Sequence, residues 1–471
     1  MAAHEGDPRE QLTALALIAV ASLLVFAGRL GDRYGHRRVF ALGMLGFGAA
    51  SAGIGLAGGI GWVIGLRVAQ GVFGALLQPA TLGMLRAAYP PGRLGRPVAV
   101  RTGAIGLAAV AGPLVGGALT THLGWRAVFF VNVAPALAMG LAALAVRAPS
   151  ALAAQAPGAL AVRAPAAPRE TARPRLDLPG AGLLAVALAG LVHTLVGIPG
   201  TGWTVATTLG LGCAVVAGGV FVRHERRTED PLVPPGVLRS GSAGPALGVL
   251  VAASAALFGA LFLGTYYVQD VLALDPLDSG LRALPLAVMM VLGAPVAATL
   301  ARRQGPRRTA AGMALVVAGV LLMSRLGRGS GAEAIGGCFL LLGAGFATVM
   351  VTATTVVVRD ASVDTAGVAG GLQQTAMNIG PALGVAAATT LMSVAGRGDT
   401  TGRPPGDGPR WAAGVFLPAM GPALTVLAAV AAAGALLATR LPGRTATRPP
   451  GDQPVEGLPD GPPRSEIASS A

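Results

Sequence analysis

The chain has 471 residues, of which 53% are hydrophobic and only 12% charged. A soluble domain carries about 25% charged residues, so the composition excludes an ordinary water-soluble enzyme. It equally excludes a disordered chain, which needs low hydrophobicity and high charge. The net charge is +14, carried by 35 basic residues that are all Arg, and the mean hydropathy is +0.66. With 71 Gly and 35 Pro, residues that membrane helices tolerate better than soluble ones, the chain reads as a polytopic membrane protein.

A bilayer core needs about 20 mostly apolar residues per helix. Thirteen stretches qualify: 11–28, 38–57, 62–85, 98–120, 127–147, 178–197, 204–222, 243–267, 281–301, 309–325, 333–358, 366–395 and 412–439. Residues 148–177 form a linker rich in Ala, Pro and Arg, and 441–471 a polar, Pro-rich tail, both expected to be disordered. Cys213 and Cys338 lie far apart in apolar stretches, so buried thiols are expected and a metal site or disulfide is not.

Arg is concentrated in alternate connections. The richer set holds Arg29, Arg33, Arg37 and Arg38; Arg86, Arg93 and Arg96; Arg163 to Arg175; Arg223 to Arg239; Arg302 to Arg308; and Arg440 to Arg448. The opposite set includes 268–280, with Asp270, Asp275 and Asp278 and no Arg. By the positive-inside rule the first set is cytoplasmic. Thirteen spans then place the C-terminus inside and the N-terminus outside.

Two pairs of segments repeat at nearly one offset. Gly28–Arg38 matches Thr299–Arg308 at an offset of 270, and Ala111–Gly117 matches Ile379–Gly384 at 268. This predicts two related helix bundles, 1–147 and 242–440, around a two-helix middle segment, 178–241. The second bundle has six spans and the first five, because residues 1–10 are polar where a counterpart of 243–267 is expected. Either a helix is missing or the gene start is placed too late.

Three motifs carry chemistry. In Gly28-Arg29-Leu30-Gly31-Asp32-Arg33-Tyr34-Gly35-His36-Arg37-Arg38, the glycines allow a tight turn and close helix approach. Asp32 is placed to cap the following helix or to pair with an Arg across the bundle interface. In Arg67-Val68-Ala69-Gln70-Gly71, an Arg inside an apolar helix must find partners, since it costs about 2.5–3.5 kcal/mol at a membrane centre. Gly103, Gly106, Gly112, Pro113, Gly116 and Gly117 suggest a close-packed glycine face with a proline bend. His193, Gln373 and Asn378 are weaker candidates for lining a cavity, while Tyr266, Tyr267 and Trp411 sit near expected interfaces.

Together these motifs resemble drug:proton antiporters of the major facilitator superfamily, in its fourteen-helix branch, and the likeness runs from residue 11 to about 440. Trp125, Arg126, Phe129, Asn132 and Pro135 resemble the start of the family's next helix. The resemblance implies an all-α two-bundle fold in a bacterial plasma membrane and proton-coupled export of lipophilic drugs or secondary metabolites by alternating access. Gly28, Asp32, Arg33, Gly35, Arg37 and Arg38 would then form a cytoplasmic gating loop. Arg67, Gln70 and Gly71 would serve proton coupling or a buried network, and the third motif an antiporter hinge. The implied partners are a small lipophilic substrate, protons and lipid, with no nucleic acid, acting on a monomer. The proton gradient supplies the energy and no cofactor, metal or enzymatic step is expected. The alternative is a transport-dead truncated member or a misplaced gene start, since the family's acid lies in the helix absent here and no Asp or Glu falls near the middle of a span.

Overall fold

A computed structural model of the chain describes residues 23–90, 93–145, 177–201, 204–228, 231–233, 241–301, 305–395 and 413–441. The architecture is all-α, with no strand among the described residues. The first bundle holds α1 (residues 23–34), α2 (His36–Leu56), α3 (Ile60–Ala88), α4 (Gly95–Leu123), α5 (Ala127–Phe130) and α6 (Val133–Ala145). A middle hairpin follows, α7 (Leu178–Thr201) and α8 (Val205–Glu225). The second bundle holds α9 (Ala243–Tyr266), α10 (Pro276–Ala301), α11 (Gly305–Met323), α12 (Ala332–Asp360), α13 (Ala366–Ala395) and α14 (Ala413–Thr439). Among the described residues, seven helical segments are long and apolar enough by themselves to cross a membrane. The span expected over 11–28 is described only from residue 23, and the linker and tail fall almost wholly outside the described residues.

Small residues set the packing of the second bundle. A Cβ added at Gly384 would sit 1.9 Å from the Ala255 carbonyl oxygen, one at Gly343 2.3 Å from that of Leu286, and one at Gly345 2.6 Å from that of Gly312. These contacts bring α13 onto α9, α12 onto α10 and α12 onto α11, so the backbones touch without a hydrophobic driving force between helices. The middle hairpin closes the same way. A Cβ at Gly190 would meet the Gly210 carbonyl at 2.5 Å, and the Thr194 hydroxyl donates to the Thr207 carbonyl at 3.0 Å. The hairpin packs against α13 through α7.

The two bundles meet along two seams, α4 against α10 and α1 with α3 against α13. Two cysteine expectations separate here: Cys338 is buried, but Cys213 is exposed on α8. A two-helix hairpin covers only part of each helix, and Cys213 lies on the uncovered part.

Candidate functional site: the inter-bundle gate and cavity

The first motif is helix rather than loop. α1 continues to Tyr34, a single residue breaks the chain, and α2 starts at His36. Gly35 makes that break with φ of +92°, a conformation that favours glycine. Gly28 is the crossing point with α13: a Cβ there would lie 2.2 Å from the Gly367 carbonyl oxygen, and one at Gly371 2.5 Å from that of Leu24.

Asp32 takes neither of its expected roles. The α2 N-cap is Gly35, with no side-chain cap. The Asp32 carboxylate instead reaches across the seam and accepts the backbone N–H groups of Gly367 at 2.7 Å and Val368 at 3.1 Å. These are free N–H groups of the first turn of α13, so a buried anion meets the positive end of a helix dipole. The His36 Nε2 lies 3.3 Å from the same carboxylate, whose side chain is 2% exposed. The Arg33 guanidinium lies over the Tyr34 ring at 5.4 Å. Arg37 and Arg38 occupy the first turn of α2, with Arg38 exposed.

Further contacts close this Arg-rich end. Arg86 Nε donates to the Ala361 carbonyl at 3.1 Å, and Leu82 and Leu94 of the first bundle pack with Val358 of the second. A Cβ at Gly370 would lie 3.1 Å from that of Leu82.

In the second motif, Arg67 Nη1 donates to Gln70 Oε1 at 3.1 Å, Gln70 Nε2 to Ser51 Oγ at 2.7 Å, and Ser51 Oγ to the Phe47 carbonyl at 2.7 Å. The Arg67 guanidinium also stands over the Phe129 ring at 4.6 Å. Gln70 and Ser51 are buried while Arg67 is exposed, so the network runs inward from the helix surface. Gly71 follows on α3. A second cation, unforeseen in the sequence, is Arg101 on α4, which donates to Gln78 Oε1 on α3. Its signal was an Arg and a Gln facing one another from adjacent apolar spans.

The third motif divides in two. Gly103 and Gly106 face α10, where added Cβ atoms would lie 3.6 Å from the Val291 carbonyl oxygen and 2.6 Å from the Met290 Cβ. At Gly112 and Gly116 nothing described lies within 4 Å. The expectation of one glycine face is therefore corrected. At 3.6 residues per turn, Gly112 stands about half a turn round the helix from Gly103. Pro113 and Gly117 lie within the same helix. The repeat partners of Gly112 and Gly116 are Gly380 and Gly384, and both are pressed against α9.

Away from the Arg-rich end lies a cavity of about 520 Å³, lined by Phe258, Leu261, Phe262, Thr265, Tyr266, Gln269, Asp270 and Val385. All but Val385 come from one face of α9 and its continuation Tyr267–Val271, at helical spacing. Tyr266 stacks on Phe416 at 5.9 Å and meets Phe262 at 5.7 Å. Of the aromatic residues expected near interfaces, Tyr266 lines the cavity at the end of α9, and Tyr267 is buried with its hydroxyl donating to the Gly327 carbonyl at 2.7 Å. Trp411 lies outside the described residues. The weaker candidates also stand elsewhere. Gln373 is fully buried, with Nε2 3.4 Å from Thr354 Oγ1; Asn378 is half-buried on α13; and His193 sits on the hairpin beside Gly210.

The Major Facilitator Superfamily profile matches residues 10–176 and 178–385. The chain belongs to this superfamily. It is a multi-pass membrane transporter with the superfamily's all-α fold. It is 42% identical over 381 residues to the tetracenomycin C resistance and export protein of Streptomyces glaucescens, covering 80% of this chain and 67% of that one. It is 33% identical over 384 residues to the puromycin resistance protein pur8 of Streptomyces alboniger, covering 79% and 72%. In fold it is similar to the human organic anion transporter MFSD10 (TM-score 0.59, 17% identity, 91% of this chain and 83% of that one). The Asp32 contacts across the seam, the Arg67 network and the aromatic cavity are thus parts of a facilitator-superfamily transporter.

Proposed function

We propose that this transporter exports lipophilic drugs or secondary metabolites by alternating access, driven by the proton gradient, as a monomer in the bacterial plasma membrane. The observations that carry the reading are a sealed Arg-rich end of the seam and an aromatic cavity walled by the second bundle. The Arg-rich end is sealed by Asp32 on the α13 N-terminus and by the Gly28–Gly367 crossing, while an aromatic cavity lies further along α9. With the Arg-rich end cytoplasmic, this is a state closed to the cytoplasm. The cavity wall of Phe258, Phe262 and Tyr266 suits flat, apolar molecules, which bury large ring faces there. The relatives named for tetracenomycin C resistance and export and for puromycin resistance support the same direction and substrate class. Arg67, in contact with Gln70, supplies a charge within the membrane for coupling.

Membrane vesicles containing the protein test this reading. An imposed pH gradient should drive transport of a lipophilic aromatic dye, and collapse of the gradient should stop it. Dye movement equal to that of empty vesicles, with the protein present and folded, would sink it. A second reading, a transport-dead member of the superfamily, is favoured by the face at Gly112 and Gly116, where nothing described lies within 4 Å. Equal dye movement with and without protein would support it.

A further inference from the structure

The middle hairpin carries none of the three motifs above, yet it is tied to the Arg-rich end of the seam. Residues 231–233 lie beside the Arg-rich end of the seam, and their backbone is gripped from two sides. Arg29 of α1 donates to the carbonyls of Pro231 and of Leu232, the latter at 3.0 Å. Glu225, at the end of α8, accepts the N–H groups of Leu232 at 2.9 Å and Val233 at 3.0 Å. Every one of these bonds has a charged partner, the stronger class of hydrogen bond.

The side chains of this strap fill the seam. Leu232 and Val233 are buried in one cluster with Val25 of α1 and Val368 of α13, and Phe26, Leu184, Phe221 and Leu372 pack around it. The cluster thus joins the first bundle, the hairpin and the second bundle at one point. The hairpin end is itself braced. Asp177 Oδ1 accepts the Gly180 N–H at 2.8 Å and lies 2.8 Å from His224 Nε2, linking the start of α7 to the end of α8. α7 packs on α13, so the hairpin is anchored to the second bundle while its end also meets α1. The Arg29 bonds therefore span the seam that must part for the Arg-rich end to open.

We propose that the middle hairpin is a latch on the gate: Arg29 and Glu225 are positioning residues that hold the strap 231–233 across the seam and bias the transporter towards closure at its Arg-rich end. It rests on the alternating-access reading above. Opening requires Arg29 to release two carbonyls and the Leu232–Val233 pair to leave its pocket. Asp32 and Arg29, three residues apart on α1, thereby lock two different elements, α13 and the hairpin, against the first bundle.

The test is a distance measured without substrate. Spin labels at Tyr34→Cys and Ser362→Cys, in a Cys213→Ser/Cys338→Ser background, report the separation of α1 and α13 at the Arg-rich face. Arg29→Gln is expected to shift the open-to-closed ratio by about tenfold, the size of one charge-assisted bond lost. Leu232→Ala with Val233→Ala should shift it the same way without touching a charge. Arg29→Gln combined with Glu225→Gln should shift it by less than the product of the two single effects, because both act through one strap. Unchanged distances in Arg29→Gln and in the Leu232/Val233 pair, with folded and inserted protein, would overturn the latch. So would fully multiplicative effects of Arg29→Gln and Glu225→Gln. A failed dye assay with these shifts present would instead count against the export reading and leave the latch standing.

Discussion

The carboxylate of Asp32 accepts the backbone N–H of Gly367 at 2.7 Å, joining residues that belong to different bundles. A side chain ends one helix region and caps another, so the charge works only while the bundles are together at that face. Removing the charge while keeping the shape isolates this contribution. Asp32→Asn keeps one acceptor, but a neutral bond is weaker by about 1 kcal/mol. The closed state should lose roughly fivefold in population by that difference, and transport should fall with it. Label-distance measurements across the seam and dye efflux check the two effects together. A closed fraction equal to wild type would refute the assignment.

Gly384 and Gly116 are repeat partners with opposite surroundings. Gly384→Ala forces a Cβ into the Ala255 carbonyl, whereas Gly116→Ala meets nothing described. The first should destabilise by about 1–3 kcal/mol, as overpacking does. The second should be neutral or stabilise by about 0.5–1 kcal/mol through helix propensity. Thermal unfolding of the detergent-solubilised protein reads both. Equal melting shifts would show that the two helix faces are packed alike.

Arg101 and Gln78 answer one another across α3 and α4. Gln78→Leu leaves a guanidinium without that acceptor and should cost about 1.5–3 kcal/mol, as losing a hydrogen bond to a charged group does. Arg101→Leu in the same background should recover most of the loss, because two apolar side chains then meet. A double-mutant cycle on melting temperature measures the coupling. Additive effects would mean the pair does not act as a unit.

The aromatic wall predicts a selective loss. Phe262→Ala removes a ring that meets Tyr266, and with it part of the cavity surface. Export of flat aromatic dyes should weaken by roughly tenfold in apparent affinity, since aromatic pairing and area burial together exceed 1 kcal/mol. Seam distances should stay as in wild type. Unchanged dye affinity would remove this wall from the substrate path.

Composition and apolar length were enough to read an all-α membrane protein. Apolar length and helical spacing are local properties, and the helices follow them closely. Of the glycine motif, Gly103 and Gly106 face α10 as close-set glycines suggest, while nothing described lies within 4 Å of Gly112 and Gly116. Partners were not. Asp32 looked like a cap for α2, yet its acceptors bind N–H groups 335 and 336 positions away. Tyr266 and Tyr267 are neighbours of one residue type, and only the packing of α9 turned one to the cavity and buried the other. Arg29 appeared as one more positive charge beside the membrane, and the fold brought it to the strap at 231–233. Such contacts depend on which helix faces meet when the bundles assemble, and that choice is made by the packing of the whole chain rather than by any segment of it.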